Sequence, residues 1–271
     1  MGATAATAAT TTLDELKNKV PESLYEYSKR VEGLPMRPLE VEFRLYSPPV
    51  VNNFIHLDSL VYWGVLCKTI GEALYGELRR ADEKTTHLAD PVLPIYSVRF
   101  RLRDREKGIR AQRSFYLASV ADFGTDAMSV VYWRKRVSYE TDRGVVDIHR
   151  GIDKAYNTPM PAASSCTARF WCYGNKEEVE DVLKYVTWIG KKGAGGNGSV
   201  RSVSVKETGQ DRSLFRDGKL NRCIPLYCVR SFDGGVAQAG YRPPYWKPQN
   251  QDLCVLPGAK EVVLQEGIRL P

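Results

Sequence analysis

The chain has 271 residues, 43% hydrophobic and 10% aromatic, the composition of an ordinary globular protein with enough length for a real core. A formal charge of +7 and a pI near 9.0 favour a polyanionic partner. No apolar run approaches the ~20 residues that span a bilayer, and no basic-then-apolar signal pattern opens the chain. The six cysteines (67, 166, 172, 223, 228, 254) are scattered without a C-x-x-C, and the three histidines (56, 87, 149) lie far from them and from one another. They read as reduced, mostly buried thiols of a cytoplasmic protein, with no metal or other cofactor expected.

Residues 1–12 are an Ala/Thr-rich tail without a core-forming pattern, and 13–31 read as a short helix stopped near Gly33 and Pro35. Together, residues 1–37 are expected to form a flexible arm carrying that helix. Residues 39–46 alternate, with Leu39, Val41, Phe43 and Leu45 opposite Glu40, Glu42, Arg44 and Tyr46, the pattern of a half-buried strand. After Ser47-Pro48-Pro49, residues 57–80 read as a long helix, apolar nearly all round at Leu60, Val61, Trp63 and Val65. Residues 95–103 alternate again, Val98, Phe100 and Leu102 against Arg99, Arg101 and Arg103. Further strands are expected at 113–120, 128–137 and 167–173, then a helix over 177–188 with Asn175 and Glu178 as its capping pair. A glycine-rich loop precedes a strand at 199–206. Loops and short strands follow in a C-terminal β extension, 207–271.

The loop packs Lys191-Lys192-Gly193-Ala194-Gly195-Gly196-Asn197-Gly198 between helix and strand. Glycines 193, 195 and 198 satisfy G-x-G-x-x-G, but a dinucleotide fingerprint needs a strand before it and a helix after it. The order here is reversed. A P-loop fails too, because no Ser or Thr follows a lysine where a helix opens. A helix–loop–strand order of this kind exposes backbone N–H groups beside Lys191 and Lys192, suited to an extended phosphate backbone. The alternative is a flexible surface turn.

Reduced to its skeleton, the order is β-α-β-β-α-β with an insertion, an α+β, ferredoxin-like arrangement also used by RNA-recognition folds. One domain is expected over 38–271, with the insertion at about 100–165 projecting as a β-rich subdomain. The insertion is basic: seven cations against two acids lie between Arg99 and Arg113, and Arg134-Lys135-Arg136 follow Tyr132 and Trp133. Cations interleaved with aromatics suit phosphate contacts and base stacking on single-stranded RNA, although either cluster alone would also fit a solvated strand face.

Several segments then line up in order. They are Phe54-Ile55-His56-Leu57-Asp58-Ser59-Leu60-Val61, Lys154-Ala155-Tyr156 with Pro159, Trp171-Cys172-Tyr173-Gly174-Asn175 and the glycine loop. After these come Asp217-Gly218, Asn221-Arg222-Cys223-Ile224-Pro225 and Arg242-Pro243-Pro244-Tyr245-Trp246. Together they resemble the RAMP superfamily, and within it the Cas-five-family subunit of type IV CRISPR effector complexes, over about residues 38–257. Gly193-Ala194 departs from the polar or basic residues such a loop would carry after its paired lysines. The resemblance implies a non-catalytic subunit of antiviral defence that grips the 5′ handle of the CRISPR RNA. It also implies capping of the backbone RAMP filament, docking of the large subunit, and an approach through the complex to target DNA near its protospacer-adjacent motif. The insertion would be its thumb. RNA-facing residues would then be Lys191, Lys192, Gly193, Gly195, Gly196, Asn197 and Gly198 in the loop. Arg99, Arg101, Arg103, Arg113, Arg134, Lys135 and Arg136 would join them from the insertion, with His149, Arg150, Lys154, Tyr156 and Arg222.

The rival reading is a metal-independent RAMP endoribonuclease that processes CRISPR RNA. It needs a general acid and base at the scissile phosphate. His56 is its candidate, with Tyr62, Lys191 or Lys192 in support. A lone histidine opening an apolar helix is otherwise a cap or a packed ring.

Overall fold

A computed structural model describes residues 13–51, 54–71, 91–103, 110–135 and 156–271. Helix α1 (Leu13–Val31) leads into strand β1 (Arg37–Leu45) and helix α2 (Leu57–Ile70). Two antiparallel ribbons follow, β2 (Ser97–Arg103) with β3 (Arg110–Tyr116) and β4 (Met128–Lys135) with β5 (Tyr156–Ala163). Strand β6 (Thr167–Gly174), helix α3 (Lys176–Leu183) and strand β7 (Val200–Glu207) complete the first body. A C-terminal module holds β8 (Phe215–Arg216), β9 (Lys219–Leu220), β10 (Ile224–Pro225), β11 (Val229–Asp233), β12 (Val236–Gly240), β13 (Gln251–Val255) and β14 (Lys260–Leu264).

The main sheet runs β6-β1-β7, antiparallel throughout, with β1 at its centre. The alternation in β1 sends Leu39, Val41, Phe43 and Leu45 inward, where they meet Phe170 and Cys172 of β6, Leu57, Val61 and Val65 of α2, and Val179 and Val182 of α3. Residues 95–103 do not form a fourth full strand of this sheet. Only Ile95 bridges Gly174, beside bridges from Ala118 to Cys172 and Asp122 to Arg169, while β2 turns away to pair with β3. That ribbon belongs to a second core: Val98, Phe100, Phe115 and Leu117 pack with Leu214, Ile224, Val229, Tyr241 and Val255 of the C-terminal module.

Both helices after α1 are shorter than their apolar pattern suggests. Helix α2 closes at Gly71 (φ 79°), whose N–H reaches the Cys67 carbonyl, and residues 72–80 lie outside the described residues. Helix α3 opens as expected, Asn175 accepting from the Glu178 amide at 3.1 Å, but ends at Leu183. Val186 and Ile189 keep the helical spacing and are buried, yet they sit in a turn and a bridged segment instead. Glu178 also accepts from Arg30 and Lys68, and Lys68 reaches Asp181 at 2.5 Å, so α1, α2 and α3 are tied together by charge. Five cysteines are buried and Cys166 is exposed, all of them free thiols.

Candidate nucleic-acid interface

The glycine loop is pinned at its base. Ile189 is fully buried and donates to the Gly198 carbonyl at 2.8 Å, and Val200 donates to Thr187 at 2.9 Å. The 47–50 turn holds its middle: Lys191 N–H reaches Val50 at 2.9 Å, Gly198 N–H reaches Pro48 at 3.2 Å, and Ser47 Oγ donates to the Gly196 carbonyl. Lys192 takes φ 64°, and Gly193–Gly195 form a single 3-10 turn in which Gly195 and Gly196 donate back to Lys192 and Gly193. The expected row of open amides is therefore partly spent inside the loop. Lys191 stands exposed, and Asn197 donates weakly to Lys192 at 3.5 Å.

Two tryptophans flank this turn. Gly193 sits so close to the Trp188 ring that a Cβ there would overlap it, and Gly195 faces Trp133. The Lys192 ammonium lies 4.1 Å from the centre of the Trp133 ring, a contact favoured by the ring quadrupole. Trp133 in turn donates to the Tyr156 hydroxyl at 2.6 Å across the β4–β5 ribbon. Arg134 lies over Tyr132 at 5.5 Å and donates to Asn157 at 3.1 Å. Loop and insertion, which the sequence marks separately, thus meet in one patch. Tyr156 and Trp188 remain 38% and 39% exposed in it, available for stacking, while Tyr132, 51% exposed, stands with Arg134 on the opposite face of the ribbon.

Other expected contacts are placed elsewhere. Arg99 is exposed, but on the β2–β3 ribbon of the second core. Arg113 spends its guanidinium on Tyr241 Oη and the Gln249 carbonyl, both at 3.2 Å. Arg222, expected at the RNA, is instead fully buried. The side chains of Arg101, Arg103 and Lys135 lie outside the described residues, as do Arg136, His149, Arg150 and Lys154. On the face of the main sheet turned away from α2 and α3, the polar and aromatic side chains meet one another or the rest of the protein. Glu42 is held there between Arg44 and Arg169, while Trp171 lies under Arg216 at 4.7 Å and Tyr173 meets Tyr96 edge-on.

Residues 37–257 match the family model described as CRISPR type IV associated protein Csf3. The chain belongs to this family. The match bears out the resemblance to a type IV Cas-five-family subunit; it begins at β1, leaves α1 outside, and ends just past β13. No curated protein matches the chain.

Within this Csf3-family chain, His56 and Arg222 belong to one buried hub. Asp58 in the first turn of α2 is fully buried, accepts from Tyr245 Oη at 2.7 Å and pairs with Arg222 at 3.4 Å. Arg222 also donates to the carbonyls of Ala118, Cys223 and Tyr241, so it joins α2 to the C-terminal module. It has no exposed surface, and a buried guanidinium fully engaged by acceptors has nothing left for a phosphate. Burial raises the Asp58 carboxyl above the usual range, against the pull of Arg222 and the Tyr245 hydrogen bond. His56 is 4% exposed and stacks on Tyr245 with centroids 4.8 Å apart. Its Nδ1 has no hydrogen-bond partner, and burial with the nearby Arg222 charge holds the ring well below its ordinary pKa. An acid in an otherwise apolar helix is the sequence signal for this hub, since a buried carboxylate requires a cation.

Proposed function

We propose that this chain is the non-catalytic RNA-binding subunit of a type IV CRISPR effector complex. It grips the 5′ handle of the CRISPR RNA, caps the backbone-subunit filament and docks the large subunit near the target protospacer-adjacent motif. The observation that carries this reading is the Lys192–Trp133 contact, which joins the glycine loop to the β4–β5 ribbon in one basic, aromatic patch. Lys191 and Lys192 would take phosphates, and bases would stack on Tyr156 and Trp188. The ribbon serves as the thumb.

A ferredoxin-like RAMP core is supported by the strand order β6-β1-β7 and by the bridges that Ile95, Ala118 and Asp122 make along the free edge of β6. A binding rather than cleaving role is supported by His56, whose ring is buried under Tyr245 and held neutral. Among the described residues no helix is long and apolar enough to cross a membrane, in keeping with a cytoplasmic complex.

The test is nuclease protection of CRISPR RNA in the complex purified with this subunit. Protection of the 5′ handle that is lost on Lys191→Ala/Lys192→Ala supports the reading, and an unprotected 5′ end refutes it. Cognate repeat RNA incubated with the purified chain in EDTA should remain intact; cleavage abolished by His56→Ala would establish the nuclease instead.

A further inference from the structure

A cleft of about 1150 Å³ lies between the two cores, walled by the start of α2, the 120–128 segment and β12. Strand β12 is the edge of the sheet β10-β13-β12. Its phase is set by the amide of Tyr241 on Asn250 and that of Leu256 on Gly235, so the odd-numbered residues face β13. Val236, Gln238 and Gly240 therefore direct their N–H and C=O groups away from β13, and among the described residues β12 pairs with no other strand.

Exposed edges are liabilities that proteins guard with charge or proline. The other described strands at sheet edges do so: Arg201 and Lys206 mark β7, Arg230 and Asp233 mark β11, and Pro225 marks β10. Strand β12 reads Val-Ala-Gln-Ala-Gly, with neither, and its small side chains leave the edge open to approach. Tyr245 packs on the face of Gly240, in the space a side chain there would fill. The cleft is also acidic on a basic protein. Three carboxylates, Asp122, Asp126 and Asp217, line it with two cations, Arg216 and Lys219; Arg216 pairs with Asp122 at 2.5 Å and with Asp217 at 3.8 Å, which leaves Asp126 as the carboxylate without a cation among the described residues.

We propose that β12 is a docking edge for an extended strand of a partner protein, added along the cleft with a basic side chain toward Asp126. Main-chain pairing supplies the affinity and the Asp126 carboxylate selects the side chain. The acidic wall disfavours RNA as the occupant. That the partner is a protein subunit of the effector complex rests on the proposed function.

Amide hydrogen exchange tests it, on the full chain alone, the chain with CRISPR RNA, and the complex purified from cells co-expressing all its subunits. The amides of Val236, Gln238 and Gly240 should slow in the complex only. Gln238→Pro deletes one outward N–H and no bond to β13, a substitution edge strands tolerate. It should weaken subunit association about tenfold, the loss of one main-chain hydrogen bond, with RNA affinity unchanged; Gln238→Ala should behave as wild type. Should Gln238→Pro not fold, Val236→Lys provides the same test through charge. Equal exchange in chain and complex overturns the proposal. So does protection by RNA alone, or protection that rises with concentration of the isolated chain, which would mean a second copy on the edge. A protected β12 in a complex with an unprotected RNA 5′ end would leave the docking edge standing and sink the RNA reading.

Discussion

Removing Lys191 and Lys192 together should change the salt dependence of RNA binding more than any other property of the protein. Lys191 is exposed and anchored only through its backbone to Val50, while Lys192 rests on Trp133. Each phosphate neutralised on a single strand contributes about 0.7 to the slope of log affinity against log salt. With both ammonium groups gone the slope should be shallower by about 1.4, so that over a fourfold rise in salt the wild type weakens about sevenfold more than the double alanine variant. Filter binding or anisotropy with the repeat-derived RNA, from low to physiological salt, measures this directly. Lys191→Ala combined with Lys192→Arg should restore half of the difference, because it keeps one charge, and Trp133 fluorescence should respond to RNA through its contact with residue 192. Parallel slopes for wild type and double alanine variant would refute the phosphate role of the loop.

Arg222→Met should destabilise the fold by about 3–5 kcal/mol, because Asp58 is left buried without its cation; urea unfolding checks this, and adding Asp58→Asn should recover most of the loss. Gly198→Val should lower the melting temperature and not merely RNA affinity, since φ is 65° and a Cβ would strike the Ile189 carbonyl; Gly196→Ala has open space and should cost only about 1–2 kcal/mol for its left-handed backbone. His56 is depressed in the fold, so its contribution is complete above its unfolded pKa near 6.5 and is lost as pH falls below it, at up to about 1.4 kcal/mol per pH unit. The raised Asp58 carboxyl has the opposite sign. His56→Phe should therefore flatten the stability profile between about pH 5 and 6.5 relative to wild type, as followed by denaturant midpoints.

The parts of the fold legible in the sequence are those governed by local periodicity. The alternation of β1, the buried face of β2 and the Asn175 cap each depend on residues within one turn or one strand. Periodicity overextends helix α3 because Val186 and Ile189 are core residues at helical spacing, and burial alone does not say that the backbone has left the helix. The contact of Lys192 with Trp133 is not legible, since it pairs segments about sixty residues apart. Arg222 misleads for a related reason. A buried arginine and a surface arginine are the same letter, and only the acid at position 58 hints at the difference.

The β2–β3 ribbon is made early but completed late. Its apolar side, Val98, Phe100, Phe115 and Leu117, is covered by residues from Leu214 to Ala259. During synthesis at ~5–20 residues per second, the hundred or so residues between Leu117 and Leu214 keep that side uncovered for roughly 5–20 s. The first body can close around β1, α2 and α3 while this surface is still waiting, so the nascent chain passes through a stage that is half folded and adhesive. Expression in cells should accordingly depend on chaperone capacity, and shortening the chain within the C-terminal module should convert the ribbon into an aggregation surface rather than a trimmed but soluble protein.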